Sequence, residues 1–275
     1  MSGSLPTNPA SPEPGPEPAP EAAPEAAPEA APELAPDPVG ALARARSLVG
    51  AWAKISVLQF FLAEAVVISG WAGAHPYSRR FNVISDLGAA HCGIYSGREV
   101  CSPLHWLMNL SFVVQGLAMI VGAVLLSTVL FRVAARPDVP PQVRHPAWGL
   151  MIRALVGVAG VGMVLVGCVP EDTVTVLHET GALLFFVPGG LALLALGWSW
   201  RGLRAVSWIL LLAGAVSLVS TVLFRFVHGL EPGTLERLMA YPITIGLAVV
   251  GLTVARGAHQ ARTLLKVRAR SAPER

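Results

Sequence analysis

Charge is scarce in this chain. Asp, Glu, Lys and Arg make up 13% of its 275 residues, against 53% hydrophobic residues, a balance that excludes an ordinary soluble domain. Burial in a membrane accounts for it, and the mean hydropathy of +0.59 agrees. Cysteine is scarce too: three residues are too few for a disulfide scaffold. Cys92 and Cys101 fall in one inter-span loop, where an oxidising compartment permits a bridge, but spacing alone leaves both a bridge and two free thiols open. Cys168 lies near the end of an apolar run. Several catalytic signatures are missing: there is no His-Glu-x-x-His, Cys-x-x-Cys, Gly-x-Ser-x-Gly or P-loop. The N-terminus lacks the basic region and early apolar stretch of a cleavable signal peptide, so the first span is expected to stay as an anchor. Segments of about ten alternating residues are also absent, which excludes a membrane β-barrel.

What the chain does have begins with a tail. Residues 1–40 hold 12 of the 23 prolines, seven acidic residues and no Lys or Arg, with EAAP three times from Glu21 to Pro32. Proline removes backbone donors and favours extended conformations, so residues 1–45 read as a disordered, Pro/Ala/Glu-rich cytoplasmic arm. Spanning a hydrocarbon core takes about 20 apolar residues, and that length test gives six runs: about Ile55–Gly73, Leu104–Leu130, Trp148–Val169, Val176–Trp198, Ala205–Phe226 and Leu238–Ala255. The expected fold is therefore all-α, a polytopic transmembrane bundle of six helices over 46–257, followed by a basic cytoplasmic C-terminal tail over 258–275. Trp71, Trp106, Trp148, Trp198, Trp200 and Trp208 fall near the ends of runs, as interfacial aromatics do.

The basic residues fix an orientation. Arg44, Arg46, Lys54, Arg132, Arg136, Arg144, Arg201, Arg204, Arg256, Arg262, Lys266, Arg268, Arg270 and Arg275 fall on one side; that is fourteen, against five on the other, namely Arg79, Arg80, Arg98, Arg225 and Arg237. By the positive-inside rule both termini are cytoplasmic. The expected location is a plasma (inner) membrane, crossed several times. Despite a net charge of +3 and a pI near 9.0, the cations edge apolar runs and form no aromatic-interleaved patch, so the expected partner is membrane lipid and not nucleic acid.

This topology collects the candidate chemistry on the outer face. Ser85 and Asp86 follow span one, Glu171 precedes span four, His178 lies just inside it, and His228, Glu236 and Arg237 precede or open span six. Each has a structural reading. Asp172 and Thr234 can cap the fourth and sixth helices, Glu236 suits the first turn of the sixth, and Ser85-Asp86 can start a short re-entrant helix or turn that Gly88 ends. The sharper reading takes His178 and His228 with Asp86 or Glu171 as ligands of a divalent metal, although no short ligand spacing supports it. Within the spans, Glu64, Asn109 and Gln115 are the costly polar groups, on a transport path or hydrogen-bonded between helices. Gly157, Gly160 and Gly167 share a stripe that suits close packing, and Gly189-Gly190 allows a kink in span four.

The outer-face segments carry a resemblance. Tyr77-Ser78, Ile84-Ser85-Asp86-Leu87-Gly88, Asn109, Val166-Gly167, Pro170, His178, Glu236-Arg237 and Tyr241-Pro242, in this order relative to the spans, resemble the bacterial six-span membrane family catalogued as domain of unknown function 998. The resemblance covers roughly residues 50–257 and implies an uncharacterised integral membrane protein; Cys92 and Cys101 lie outside its pattern. The Ser, Asp and His inventory also looks distantly like that of ceramidase-type membrane hydrolases, in which a metal-bound water is the nucleophile, with fewer histidines than that chemistry wants. Three functions stay open at this point: recognition of a lipid head group or small amphiphile by the outer polar cluster, metal-dependent intramembrane lipid hydrolysis, and transport or an accessory role in export or resistance. The residues do not decide whether the chain is an enzyme, and they give no oligomeric state.

Overall fold

A backbone crossing hydrocarbon must satisfy its own donors and acceptors, and uninterrupted apolar runs do so as helices. In a computed structural model six helices are present among the described residues, which are Gly3, 56–125, 146–227 and 229–271, with side chains described within 56–124, 147–227 and 229–256. The helices are α1 (Ser56–Ser69), α2 (His105–Leu125), α3 (Pro146–Cys168), α4 (Thr175–Ser199), α5 (Arg204–Phe226) and α6 (Pro232–Ser271). The last five contain stretches long and apolar enough to cross a membrane, and α1 is a shorter apolar helix that starts at the limit of the described residues. The protein is thus a multi-pass membrane protein with an all-α bundle. The proline-rich tail, the end of the second run and His228 lie outside the described residues, as do the side chains of the basic C-terminal tail.

Sequential helices pack side by side, α2 on α3, α3 on α4, α4 on α5 and α5 on α6, and α4 also meets α6. The core is built from Phe60, Met108, Met119, Ile152, Phe185, Leu193, Leu196 and Ile243, all nearly or fully buried. Outside it stand Leu62, Leu110, Leu117, Leu150, Val161, Leu212 and Val222, large apolar side chains left exposed all round the bundle. So much outward apolar surface is stable only against lipid. Lipid gives helices little hydrophobic reason to associate, so close approach matters more. A Cβ on Gly160 would meet the Gly116 carbonyl oxygen at 2.7 Å, and one on Gly181 would meet that of Gly162 at 2.9 Å. Of the glycine stripe, Gly160 and Gly167 make such contacts with α2, whereas Gly157 has only ordinary contact with Ala123. Gly189 and Gly190 face Ile243 and Leu218, so they let α6 and α5 side chains come close.

The boundaries differ from the hydropathy reading in two places. The first helix ends at Ser69, because the chain then turns away at Gly70 and the Ala72 N–H donates to the Cys101 carbonyl at 3.0 Å. The sixth begins at Pro232, six residues before the apolar run, proline being suited to a first helical position. Its early N–H groups are met by backbone: those of Gly233 and Thr234 donate to the Arg80 carbonyl at 3.0 and 3.2 Å. Glu236 and Arg237 therefore lie on α6 itself. Trp200 does lie at a helix end, as the C-cap residue of α4, but it is fully buried in the core.

Between α1 and α2 the chain forms a 3-10 turn, Ser85–Gly88, then an antiparallel hairpin of β1 (Gly93–Tyr95) and β2 (Arg98–Val100). Ser96 and Gly97 join the strands with φ of 48° and 76°, the left-handed pair that a tight hairpin turn needs. A Cys92–Cys101 disulfide closes the base of the hairpin.

Candidate functional site

The alternation of helices brings the C-terminal ends of α1, α3 and α5 and the N-terminal ends of α2, α4 and α6 to one end of the bundle. The 3-10 turn and the hairpin lie between α1 and α2 at this end, and two networks there are centred on Ser85 and on Arg237, with further ion pairs beside them.

The first centres on Ser85. Its Oγ lies 2.8 Å from Glu236 Oε1 on α6 and 3.1 Å from His178 Nε2 on α4. His178 Nδ1 lies 2.7 Å from the Val169 carbonyl just past α3. A carbonyl only accepts, so Nδ1 carries the proton; in the neutral ring Nε2 then presents its lone pair to Ser85. The Ile84 N–H donates to Glu236 Oε2. Ser85, His178 and Glu236 are all buried, and each is fixed by a different element.

Asp86 turns the other way. It accepts from Asn82 Nδ2 at 3.1 Å, from the Val83 N–H at 3.0 Å and from Arg98 Nη2 at 2.8 Å. Arg98, on β2, in turn lies 3.6 Å from Glu171. Glu171 Oε1 has no hydrogen-bond partner among the described residues. Burial first, and then the Asp86 carboxylate, push the Glu171 pKa from 4.5 up to about 9 against the opposing charge of Arg98.

The second network is organised by Arg237, one residue on from Glu236 and so turned about 100° around the helix. Its Nη2 donates to Glu64 Oε1 at 2.9 Å and to the Tyr77 hydroxyl at 2.7 Å, while Nη1 donates to the Arg79, Asn82 and Gly233 carbonyls, each at 3.0 Å. The Tyr241 hydroxyl donates to Glu64 Oε2 at 2.6 Å. Burial raises the Tyr77 phenol well above its usual range, the charge of Arg237 only partly opposing it. The arrangement is a fully paired clamp between α1, the first loop and α6.

The sequence-derived cluster is therefore brought together in part. Ser85, His178 and Glu236 meet; Asp86 and Glu171 meet through Arg98; Arg237 instead joins Glu64. Gln115 accepts from the Ser56 hydroxyl at 2.9 Å, and Asn109 Nδ2 donates to the Gly88 carbonyl at 2.9 Å. Asp172 does not cap α4. It receives the N–H groups of Ala90 and His91, both at 2.9 Å, and ties the first loop to the α3–α4 turn. Thr234 does not cap α6 either, since its hydroxyl donates to Glu231 at 2.7 Å. Sequence reasoning missed Arg98, Tyr77 and Tyr241 as site residues, although the two tyrosines stand in the family-like pattern. Among the described residues no group of three or more His, Cys, Asp or Glu side chains is placed to hold a metal ion.

Ser85, His178 and Glu236 open on a cavity of about 450 Å³. Arg98, Glu171, Glu179 and Arg225 complete its polar wall, and Ala182, Leu183, Phe186, Phe224 and Met239 form an apolar wall from α4, α5 and α6. Leu183 of α4 and Phe224 of α5 are both exposed, so the apolar wall is not closed off by protein. Arg98 and Arg225 stand in this wall with Glu171, Glu179 and Glu236, so groups of both signs line it.

Residues 55–253 match the family described as protein of unknown function (DUF998). No curated protein and no solved structure matches the chain. The match spans well over half of the chain, and the chain belongs to the DUF998 family.

Proposed function

We propose, with membership of this family of unknown function as the premise, that this multi-pass membrane protein binds a single-headed or double-chained amphiphile in the cavity beside Ser85. The observation that carries this reading is the division of one cavity into a polar wall and an apolar wall whose Leu183 and Phe224 are exposed. A volume of about 450 Å³ lies within the usual range of small-molecule sites, roughly 300–1,000 Å³, and such sites are mostly apolar with a few placed polar groups. The head group sits against Ser85, Arg98, His178 and Arg225, and the chain follows Leu183 and Phe224 into the bilayer. With groups of both signs in the wall, the fitting head group is zwitterionic or uncharged.

The orientation belongs to the same proposal. Both termini are cytoplasmic and the cavity opens on the outer side of a bacterial plasma membrane. The fourteen-to-five division of basic residues supports this, and so does a disulfide at the same end, since such bonds persist in oxidising compartments. The geometry offers no comparable support for a metal-dependent hydrolase or a transporter: Glu64 is tied to Arg237 and Tyr241.

Binding is tested by native mass spectrometry of the purified protein with a dialkyl ether glycerolipid of zwitterionic head group. One bound lipid per chain, lost on Ala182→Trp, which fills the cavity, supports the reading. Equal retention by wild type and the filled variant contradicts it.

A further inference from the structure

Ser85 stands between a base and a carboxylate at the edge of a cavity whose other wall is apolar. A hydroxyl in that position is set up for more than a structural hydrogen bond. Its single proton has two acceptors, Glu236 Oε1 at 2.8 Å and His178 Nε2 at 3.1 Å. The ring is held in the accepting tautomer by the Val169 carbonyl, which does for His178 what a third group does in nucleophile–base–orienter arrangements.

We propose that Ser85 is the nucleophile, and His178 the general base, of an acyl-ester cleavage on the amphiphile held in the cavity; the proposal rests on the binding reading above. The Ser85 Oγ–H proton passes to His178 Nε2 as Oγ bonds to the ester carbonyl carbon. The carbonyl–alkoxy bond then breaks, and the departing alcohol takes the proton from Nε2. This leaves an acyl-Ser85 and a neutral ring. Water, giving a proton to Nε2, attacks the acyl carbon; the carboxylic acid leaves and Oγ recovers its proton. One ester and one water become one acid and one alcohol. Glu236 is a positioning residue: its Oε2 holds the Ile84 N–H and its Oε1 holds Oγ. The apolar wall of Leu183, Phe186 and Phe224 selects an acyl chain, so the substrate class is a long-chain ester of a glycerol-type or similar small polar head.

The full-length protein in detergent, treated with a long-chain alkyl fluorophosphonate, tests this without any variant. A covalent phosphonyl adduct at one per chain, mapped to Ser85 by peptide mass spectrometry, is the expected result. Ser85→Ala abolishes the adduct. His178→Gln slows it about 100-fold, the low end for loss of a general base, with size-exclusion profile and thermal melt showing that both variants fold. Glu236→Gln, which keeps an acceptor beside Oγ, retains labelling, whereas Glu236→Ala loses it. A 4-nitrophenyl ester of a fatty acid is cleaved by wild type and not by Ser85→Ala. The ether lipid of the binding test cannot be cleaved, and this separates the two readings. If it binds wild type while Ser85 takes no phosphonyl group and the ester stays intact, the nucleophile proposal is overturned and the binding reading stands. If the ether lipid does not bind, the binding reading falls first. An adduct on any serine but Ser85 also overturns the proposal.

Discussion

Arg237 of α6 and Glu64 of α1, 173 residues apart in sequence, meet at 2.9 Å with both side chains almost wholly removed from solvent. The pair joins the first and last helices at the same end of the bundle as the cavity, and Tyr77 and Tyr241 complete its hydrogen bonds. It therefore fixes the height of α6, and with it Glu236, relative to the Ser85 turn.

Breaking that pair should unfold the bundle more readily than replacing it. Glu64→Ala leaves a buried guanidinium without its counter-charge and is expected to cost about 3–5 kcal/mol, whereas Glu64→Met with Arg237→Met costs much less. Unfolding in mixed micelles measures both. If the losses from Glu64→Met and Arg237→Met, each made alone, add up to that of the double variant, the two residues do not interact.

Glu171 makes stability depend on pH in one direction. Its pKa is raised from 4.5 to about 9, so the folded state favours the protonated carboxyl more than the unfolded state does. The contribution is fully present below 4.5 and is lost as pH rises through 9. Wild-type melting temperature is expected to fall between pH 5 and pH 9, and Glu171→Gln to fall less. Parallel curves for the two proteins exclude this role.

The disulfide predicts a thiol count. Without reduction, denatured protein takes up one maleimide-polyethylene glycol, at Cys168, and three after reduction, because Cys92 and Cys101 are bonded. Closing so short a loop stabilises by about 2–3 kcal/mol in the chain-entropy view, so Cys92→Ser with Cys101→Ser lowers the melting temperature. Three adducts before reduction contradict the bond.

Helix contact through glycine gives a fourth expectation. A Cβ on Gly162 would lie 2.5 Å from the Gly181 carbonyl oxygen of α4, so Gly162→Val forces α3 and α4 apart at a cost of about 1–3 kcal/mol. Gly157→Ala, where a Cβ finds only ordinary contact with Ala123, is nearly neutral by the same melt. Equal effects would remove close packing as the reason for the Gly162 position.

Much of the architecture was readable from hydropathy because a span is a local property. The run 176–198 became Thr175–Ser199, and 205–226 became Arg204–Phe226. The sixth helix was read six residues short, since Glu236 and Arg237 lower the local hydropathy although both are buried and paired. The Ser85–Gly88 turn was legible from its residues, and His178 from its place just inside an apolar run. Pairing was not legible. Ser85 and Glu236 lie 151 residues apart, and nothing in either segment says which carboxylate faces which hydroxyl. Arg98 read only as a loop charge; Ser96-Gly97 was a turn signal that went unused, and with it the hairpin that carries Arg98 to Asp86.

The central claim is that an amphiphile enters between α4 and α5 and places its head beside Ser85. A zwitterionic ether lipid with a photoactivatable diazirine near the start of its chain, reconstituted with the protein and irradiated, tests it most directly. Adducts concentrated on Leu183, Phe186, Phe224 and Met239, and competed away by excess unlabelled ether lipid, are the predicted result. Adducts spread over outward residues such as Leu62, Leu150 and Leu212, with none in the cavity and no competition, would contradict the account.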